Sequence, residues 1–168
     1  ISCFLNVVPD SRGGLTGHYT ENAWLSSMGG GIGGYWGRVR SNGVNTSGGS
    51  RSSGAIPFLK VVDAEVLAFA QGVTRRASYA AYLDISHPEI EEFLEMRKPS
   101  GGDSNRRCLN LHHGVNITDA FMVAVERGAD WDLIDPHSKV VVKTLPARDL
   151  WQRLLDMRMQ TGEPYIHF

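Results

Sequence analysis

The sequence has few cysteines, almost no net charge and no long apolar run, and each scarcity removes a class of protein. Two cysteines in 168 residues, Cys3 and Cys108, are too few for a disulfide framework, so each is either core filler or chemistry. A formal charge of −1 and a pI near 6.6 provide no broad basic field. Nucleic acid is therefore not an expected partner, and any phosphate has to be held by a local cluster. No apolar stretch approaches the roughly 20 residues that cross a bilayer, and ISCFLNVV lacks the basic lead-in and cleavage site of a secretory signal. No membrane partner is expected, and the chain reads as cytoplasmic.

What is present is the composition of one ordinary globular domain, 42% hydrophobic and 21% charged. The chain opens at Ile1 in the middle of a strand pattern and closes on TGEPYIHF, the start of another buried strand. It is expected to be a piece of a longer protein, truncated at both ends.

Along the chain, strand and helix patterns alternate. Residues 2–8 form a short apolar run closed by Pro9 and Asp10, a strand that ends in a turn. Thr20 to Met28 has helical spacing and stops at Gly29, after which GGGIGGYW is glycine-rich and strand-like. Ser41 to Gly54 is almost wholly Ser, Gly, Asn and Thr, which predicts an exposed, mobile loop. The apolar residues of Ala55 to Ala70 cover more than one helical face, which predicts burial on both sides, with a second subunit as one way to cover the outer side. Ser78 to Ile85 reads as a strand, Pro88 to about Lys98 as a helix, and Cys108 to Ile117 as a strand. Thr118 to Arg127 follows as a helix, Trp131 to Ile134 as a short strand and Arg148 to Gln160 as a last helix. This alternation argues for an α/β fold with a largely parallel sheet or barrel.

Three local patterns bear on chemistry. Gly29 to Gly34 satisfies GxGxxG in form, but a helix precedes it and a strand follows, the reverse of the dinucleotide-binding turn. A Rossmann dehydrogenase is thereby disfavoured, and a glycine-lined strand that lets a ligand lie on bare backbone fits better. His112 and His113 stand near Cys108, yet neighbouring strand residues face opposite ways, so the two imidazoles are not expected to share a metal. AFAQGVTRR, residues 68–76, sets two arginines on a glycine-loosened loop, which suits a phosphate, a base or a carboxylate. On residue statistics alone, Cys3 in its strand is a small core hydrophobe.

Taken in order, SC at the start, Asp10, GGGIG, GRVR, SGG, SGAIPFLKV, QGVTRR, SHPEIEEFLE and NRRCLNLHHGVNI resemble the catalytic large subunit of ribonucleotide reductase along nearly the whole chain. The likeness is strongest to class I enzymes of bacterial and phage type, with the adenosylcobalamin-dependent class II sharing the scaffold. It implies a ten-stranded α/β barrel made of two half-barrels of five parallel strands. Residues 1–168 would supply the N-terminal part of that barrel, including an effector site. It also implies radical-based reduction of ribonucleotides, with a dithiol oxidised to a disulfide and reset by thioredoxin or glutaredoxin.

By that resemblance Cys3 is one of the two reducing thiols, Ser2 neighbours the substrate phosphates and Gly31 brings bare backbone to the substrate nucleoside. Gln71 and Arg75 lie where the family's second loop reads the base and phosphate of the substrate. Asp10, Arg40 and Thr46 fall in the specificity site for a dNTP or ATP effector, Asp10 on its sugar and Arg40 on its phosphate. Cys108 matches no functional thiol and is expected to be structural.

No cofactor would be bound directly by this chain. The radical would come from a metal-containing small subunit, or from adenosylcobalamin in class II, and a homodimer would form through the helices around 20–28 and 55–70. The isolated chain would behave as a nucleotide-binding module without turnover. Two departures stand out: Met28 and Gly29 replace a basic residue before the glycine run, and no basic residue follows Thr46 until Arg51.

Overall fold

The computed structural model describes residues 3–69 and 77–168. Five strands form one parallel sheet in the order β1 (Cys3–Val7), β2 (Gly31–Tyr35), β3 (Ser78–Asp84), β4 (His112–Asn116) and β7 (Tyr165–His167). Between them run α1 (Arg12–Ser27), α2 (Ile56–Phe69), α3 (Ile90–Glu95), α4 (Asp119–Arg127) and α5 (Ala147–Thr161). A separate antiparallel ribbon, β5 (Asp130–Ile134) with β6 (Val141–Pro146), lies between α4 and α5 in the chain. The expected α/β class with a mainly parallel sheet is what the chain adopts. Among the described residues no helix is long and apolar enough to cross a membrane.

The sheet is covered on one side. Along β3, Tyr79, Ala81 and Leu83 are fully buried while Ser78, Ala80, Tyr82 and Asp84 are not, and β2 alternates in the same way. Parallel strands need crossover connections of one hand, which puts successive helices on the same face, and here those helices bury Ile32, Tyr79, Leu83 and Val115. The opposite face stays open. Leu5 is 88% exposed there, and the register sets Cys3, Gly31 and Ser78 side by side at its edge.

A polar network ties the covered side together. The Trp36 indole donates to the Tyr79 hydroxyl at 2.9 Å, and that hydroxyl is left to donate to His18 Nε2, also at 2.9 Å. Asn22 Nδ2 also lies 2.9 Å from that nitrogen, so the two donors share its single lone pair, and the Asn22 carbonyl oxygen accepts from Asn6 on β1. Burial pushes the His18 pKa down to about 4, against the pull of Glu21, so the imidazole stays neutral and can accept.

Several boundaries differ from the sequence reading for local reasons. Helix α1 starts at Arg12, eight residues before the expected Thr20, because Ser11 caps it by accepting the Gly14 N–H at 3.0 Å. A Cβ on Gly14 would collide with Pro9 and Ser11, so the glycine that reads as a loop is what lets the helix start there. Strand β4 begins at His112 because the residues before it bond to helices: Asp63 of α2 accepts the Asn110 and Leu111 N–H groups, and Cys108 N–H goes to Met96 O. Helix α2 buries one face only, leaving Val61, Leu67 and Phe69 exposed on the other. Strand β6 was not foreseen.

Gly34 faces the covered side, and a Cβ there would overlap the Tyr79 hydroxyl. Gly34→Ala should therefore break the Trp36–Tyr79–His18 chain and destabilise the full-length protein by about 2–4 kcal/mol, read as a lower urea midpoint. An unchanged midpoint would show that the network yields without cost.

Candidate nucleotide pocket and thiol face

Two places collect the residues singled out from the sequence. The first is a cavity of about 670 Å³ beside the loop between β2 and α2, bounded by the β1–α1 turn. Asp10 sits in that turn and Arg40 in that loop, 30 residues apart in sequence. The Asp10 carboxylate accepts the Arg40 backbone N–H at 3.2 Å and its Nε–H at 2.9 and 3.1 Å, and Arg40 Nη1 donates to Asn45 O. Thr46 stands in a tight turn in which its N–H bonds Ser50 O and its hydroxyl meets Ser50 Oγ at 2.8 Å.

The pocket thus brings together all three residues expected at an effector site. Three arginines, Arg12, Arg40 and Arg51, line it against one carboxylate, Asp10. Among the described residues Arg12 and Arg51 have no carboxylate partner, so the cavity favours an anion. Tyr19 and Phe58 supply flat apolar walls, and serine and threonine hydroxyls line the loop side. Such a cavity suits a phosphorylated molecule with an aromatic portion.

The loop is less free than its composition suggests. An isolated antiparallel bridge joins Asn45 to Arg51, and Ser52 N–H bonds Val44 O. At its far end Ala55 N–H donates to Glu89 Oε2 at 2.7 Å. Glu89 is buried, and burial raises its pKa to about 7 although the Ala55 hydrogen bond and the Arg106 charge oppose this.

The second place is the open sheet face. Cys3 is exposed there and pairs in register with Gly31, roughly 4.8 Å away across the ladder. A thiol next to backbone that carries no side chain leaves room for a ligand to lie against both. Cys108 is buried, and burial pushes its thiol up to about 12, which suits a packing role and no reactivity. Ser2, Gln71 and Arg75 lie outside the described residues.

His112 and His113 do face opposite sides, but they meet on one carboxylate. Glu163 Oε1 is 2.5 Å from His112 Nδ1, while Oε2 accepts the His113 N–H at 3.0 Å and lies 3.1 Å from its Nδ1. Arg97 adds its Nε at 3.3 Å. Burial works against the charge on Glu163, but the two histidines and Arg97 outweigh it and hold the pKa at about 2. Among the described residues no group of three His, Cys, Asp or Glu side chains is arranged to hold a metal. Sequence reasoning missed Glu163 because it lies 51 residues from His112.

A parallel sheet covered by helices on one side, with a thiol on its open face and an arginine-lined cavity past the closing ends of its strands, is an α/β scaffold consistent with part of a barrel. The chain belongs to the ribonucleotide reductase family: the model of the ribonucleotide reductase barrel domain matches residues 1–168. It is 55% identical over 168 residues to the putative ribonucleoside-diphosphate reductase large subunit of Frog virus 3 (isolate Goorha), covering 100% of this chain and 28% of that protein. To the large subunit of Invertebrate iridescent virus 6 it is 47% identical over 175 residues, covering 100% of this chain and 17% of that one. To the alpha subunit of Helicobacter pylori (strain J99 / ATCC 700824) it is 34% identical over 191 residues, covering 99% and 24%. The chain spans between about a sixth and a third of the curated relatives it matches.

The raised Glu89 pKa has a signed consequence. Between about 4.5 and 7 the folded state holds a proton that the unfolded chain has released, so stability falls as pH rises through that window, by about 3 kcal/mol in total. Glu89→Gln keeps an acceptor for the Ala55 N–H and cannot ionise, so it should flatten that fall when urea midpoints at pH 5 and pH 8 are compared. Equal slopes in the two proteins would contradict the assignment.

Proposed function

We propose that this chain forms part of the catalytic barrel of a class I ribonucleoside-diphosphate reductase, which converts ribonucleotides to deoxyribonucleotides by radical chemistry. The observation that carries this reading is the exposed Cys3 beside Gly31 on the uncovered sheet face, in a chain matched over its whole length by the family's barrel domain. A dithiol supplies two electrons on closing into a disulfide and is reset by exchange with a thioredoxin or glutaredoxin. Cys3 is one of those thiols, and its partner belongs to a part of the protein outside this chain. Ser2, Gln71 and Arg75 contact the substrate. The radical comes from a separate metal-containing subunit.

The arginine-lined pocket is the site for a dNTP or ATP effector that selects the substrate. Its support is charge and shape: three arginines and one aspartate, two aromatic walls and a hydroxyl-rich loop. Asp10 bonds the effector sugar, Arg40 meets its phosphate, and Thr46 belongs to the loop that contacts the effector. The pocket is bordered by α1 and α2, whose outer faces expose Trp24 (68%), Met28 (72%) and Leu67 (63%). Apolar exposure of this size on adjacent helices favours a homodimer contact. The 168-residue chain alone would bind nucleotide without turnover.

The test is turnover of the full-length protein with its radical-generating subunit and thioredoxin. Cys3→Ser should abolish thioredoxin-driven deoxynucleotide formation while nucleotide binding at the arginine pocket persists. Undiminished turnover in this variant would overturn the reading.

A further inference from the structure

Asp10 has two sets of partners, and only one comes from Arg40. The other comes from the β5–β6 ribbon, which lies outside the five-stranded sheet. The turn of this ribbon is built around Asp135, which is fully buried. Asp135 Oδ1 accepts the His137 N–H at 3.0 Å, the Ser138 N–H at 2.6 Å and the Ser138 hydroxyl at 3.0 Å, knitting the turn. Its Oδ2 accepts the Ser41 N–H at 2.7 Å and the Ser41 hydroxyl at 2.8 Å. Burial opposes ionisation of Asp135, but the bonds from Ser138 and Ser41 outweigh it and hold its pKa at about 2, so the anchor stays charged.

Ser41 directly follows Arg40, so the ribbon turn is pinned to the residue next to the pocket's central arginine. Two residues beyond the anchor, His137 sets Nδ1 3.2 Å from Asp10 Oδ2. A carboxylate offers about four acceptor sites. The Arg40 backbone N–H and Nε–H bring two hydrogens and a His137 Nδ1–H brings a third, which leaves one site open, the number that a single sugar hydroxyl needs. His137 meets the Asp10 carboxylate at Oδ2, and its own backbone N–H is held by Asp135.

We propose that His137 is a positioning residue of the nucleotide site, fixing Asp10 so that its remaining acceptor receives a sugar hydroxyl of the bound nucleoside triphosphate. This rests on the pocket being the effector site. The β5–β6 ribbon then bears on the site through the His137–Asp10 contact.

The test is equilibrium binding to the full-length protein of a deoxynucleoside triphosphate and of its 2′,3′-dideoxy counterpart, which lacks the hydroxyl. The parent should prefer the hydroxyl-bearing nucleotide by about fivefold, the scale of one net hydrogen bond. His137→Ala should lose most of that preference while binding the dideoxy form nearly as the parent does. His137→Asn, which keeps a donor close to the Nδ1 position, should restore it, and a role in folding alone would not separate the two nucleotides in this way. If Asp10→Ala loses the preference and His137→Ala keeps it, the inference about His137 is wrong and the effector reading stands. If Asp10→Ala binds both nucleotides as the parent does, the pocket is not the effector site and both readings fall.

Discussion

The register between β1 and β2 is the constraint on which the rest of the molecule depends. Pairing Cys3 with Gly31 and Gly31 with Ser78 decides which side of each strand meets the helices. A slip of β1 by one residue would turn each of its side chains to the other face, driving Cys3 and Leu5 towards the helices and Phe4 and Asn6 onto the open side. The buried chain of Trp36, Tyr79, His18, Asn22 and Asn6 opposes such a slip, because its hydrogen bonds run from β3 through α1 to β1. Unmaking them inside the packed layer would leave polar groups without partners. The same register sends the chain out of β1 at Asp10 and out of β2 towards Arg40, so the pocket follows from the sheet.

The sheet and the pocket divide the chemistry by strand end. Cys3 and Gly31 open their strands, whereas Asp10 and Arg40 follow the strands' closing ends. Helix α1 connects the two regions, with Tyr19 walling the pocket and His18, its neighbour in sequence, buried in the network under β3. The start of β3 adjoins Cys3 and Gly31 through Ser78. A change at the pocket that moved α1 would therefore be felt by packed, hydrogen-bonded groups reaching to the edge of the thiol face.

Much of this was legible in the sequence, for stated reasons. Ser78 to Ile85 read as a strand and β3 runs over Ser78–Asp84, the proline and acids marked the region of α3, and Thr118 capped α4 as its position suggested. Asp10, Arg40 and Thr46, grouped from the sequence, line one cavity. What escaped was either glycine used for close approach, as at Gly14, or contact between residues far apart in the chain. Asp135 and Ser41 are 94 residues apart, and no local pattern marks Asp135 as an anchor or His137 as a neighbour of Asp10. Glu163, which gathers two histidines and an arginine, was hidden in the same way.

The central claim is that the exposed Cys3 beside bare backbone is a working thiol. It is tested most directly by letting the full-length protein, with its radical-generating subunit, complete a single round on ribonucleotide without any external reductant, then blocking free thiols and mapping cysteines by mass spectrometry. The account predicts that Cys3 is recovered in a disulfide with a cysteine beyond this chain, in proportion to the deoxynucleotide formed. Cys3 recovered as a free, fully alkylated thiol alongside stoichiometric product would contradict it.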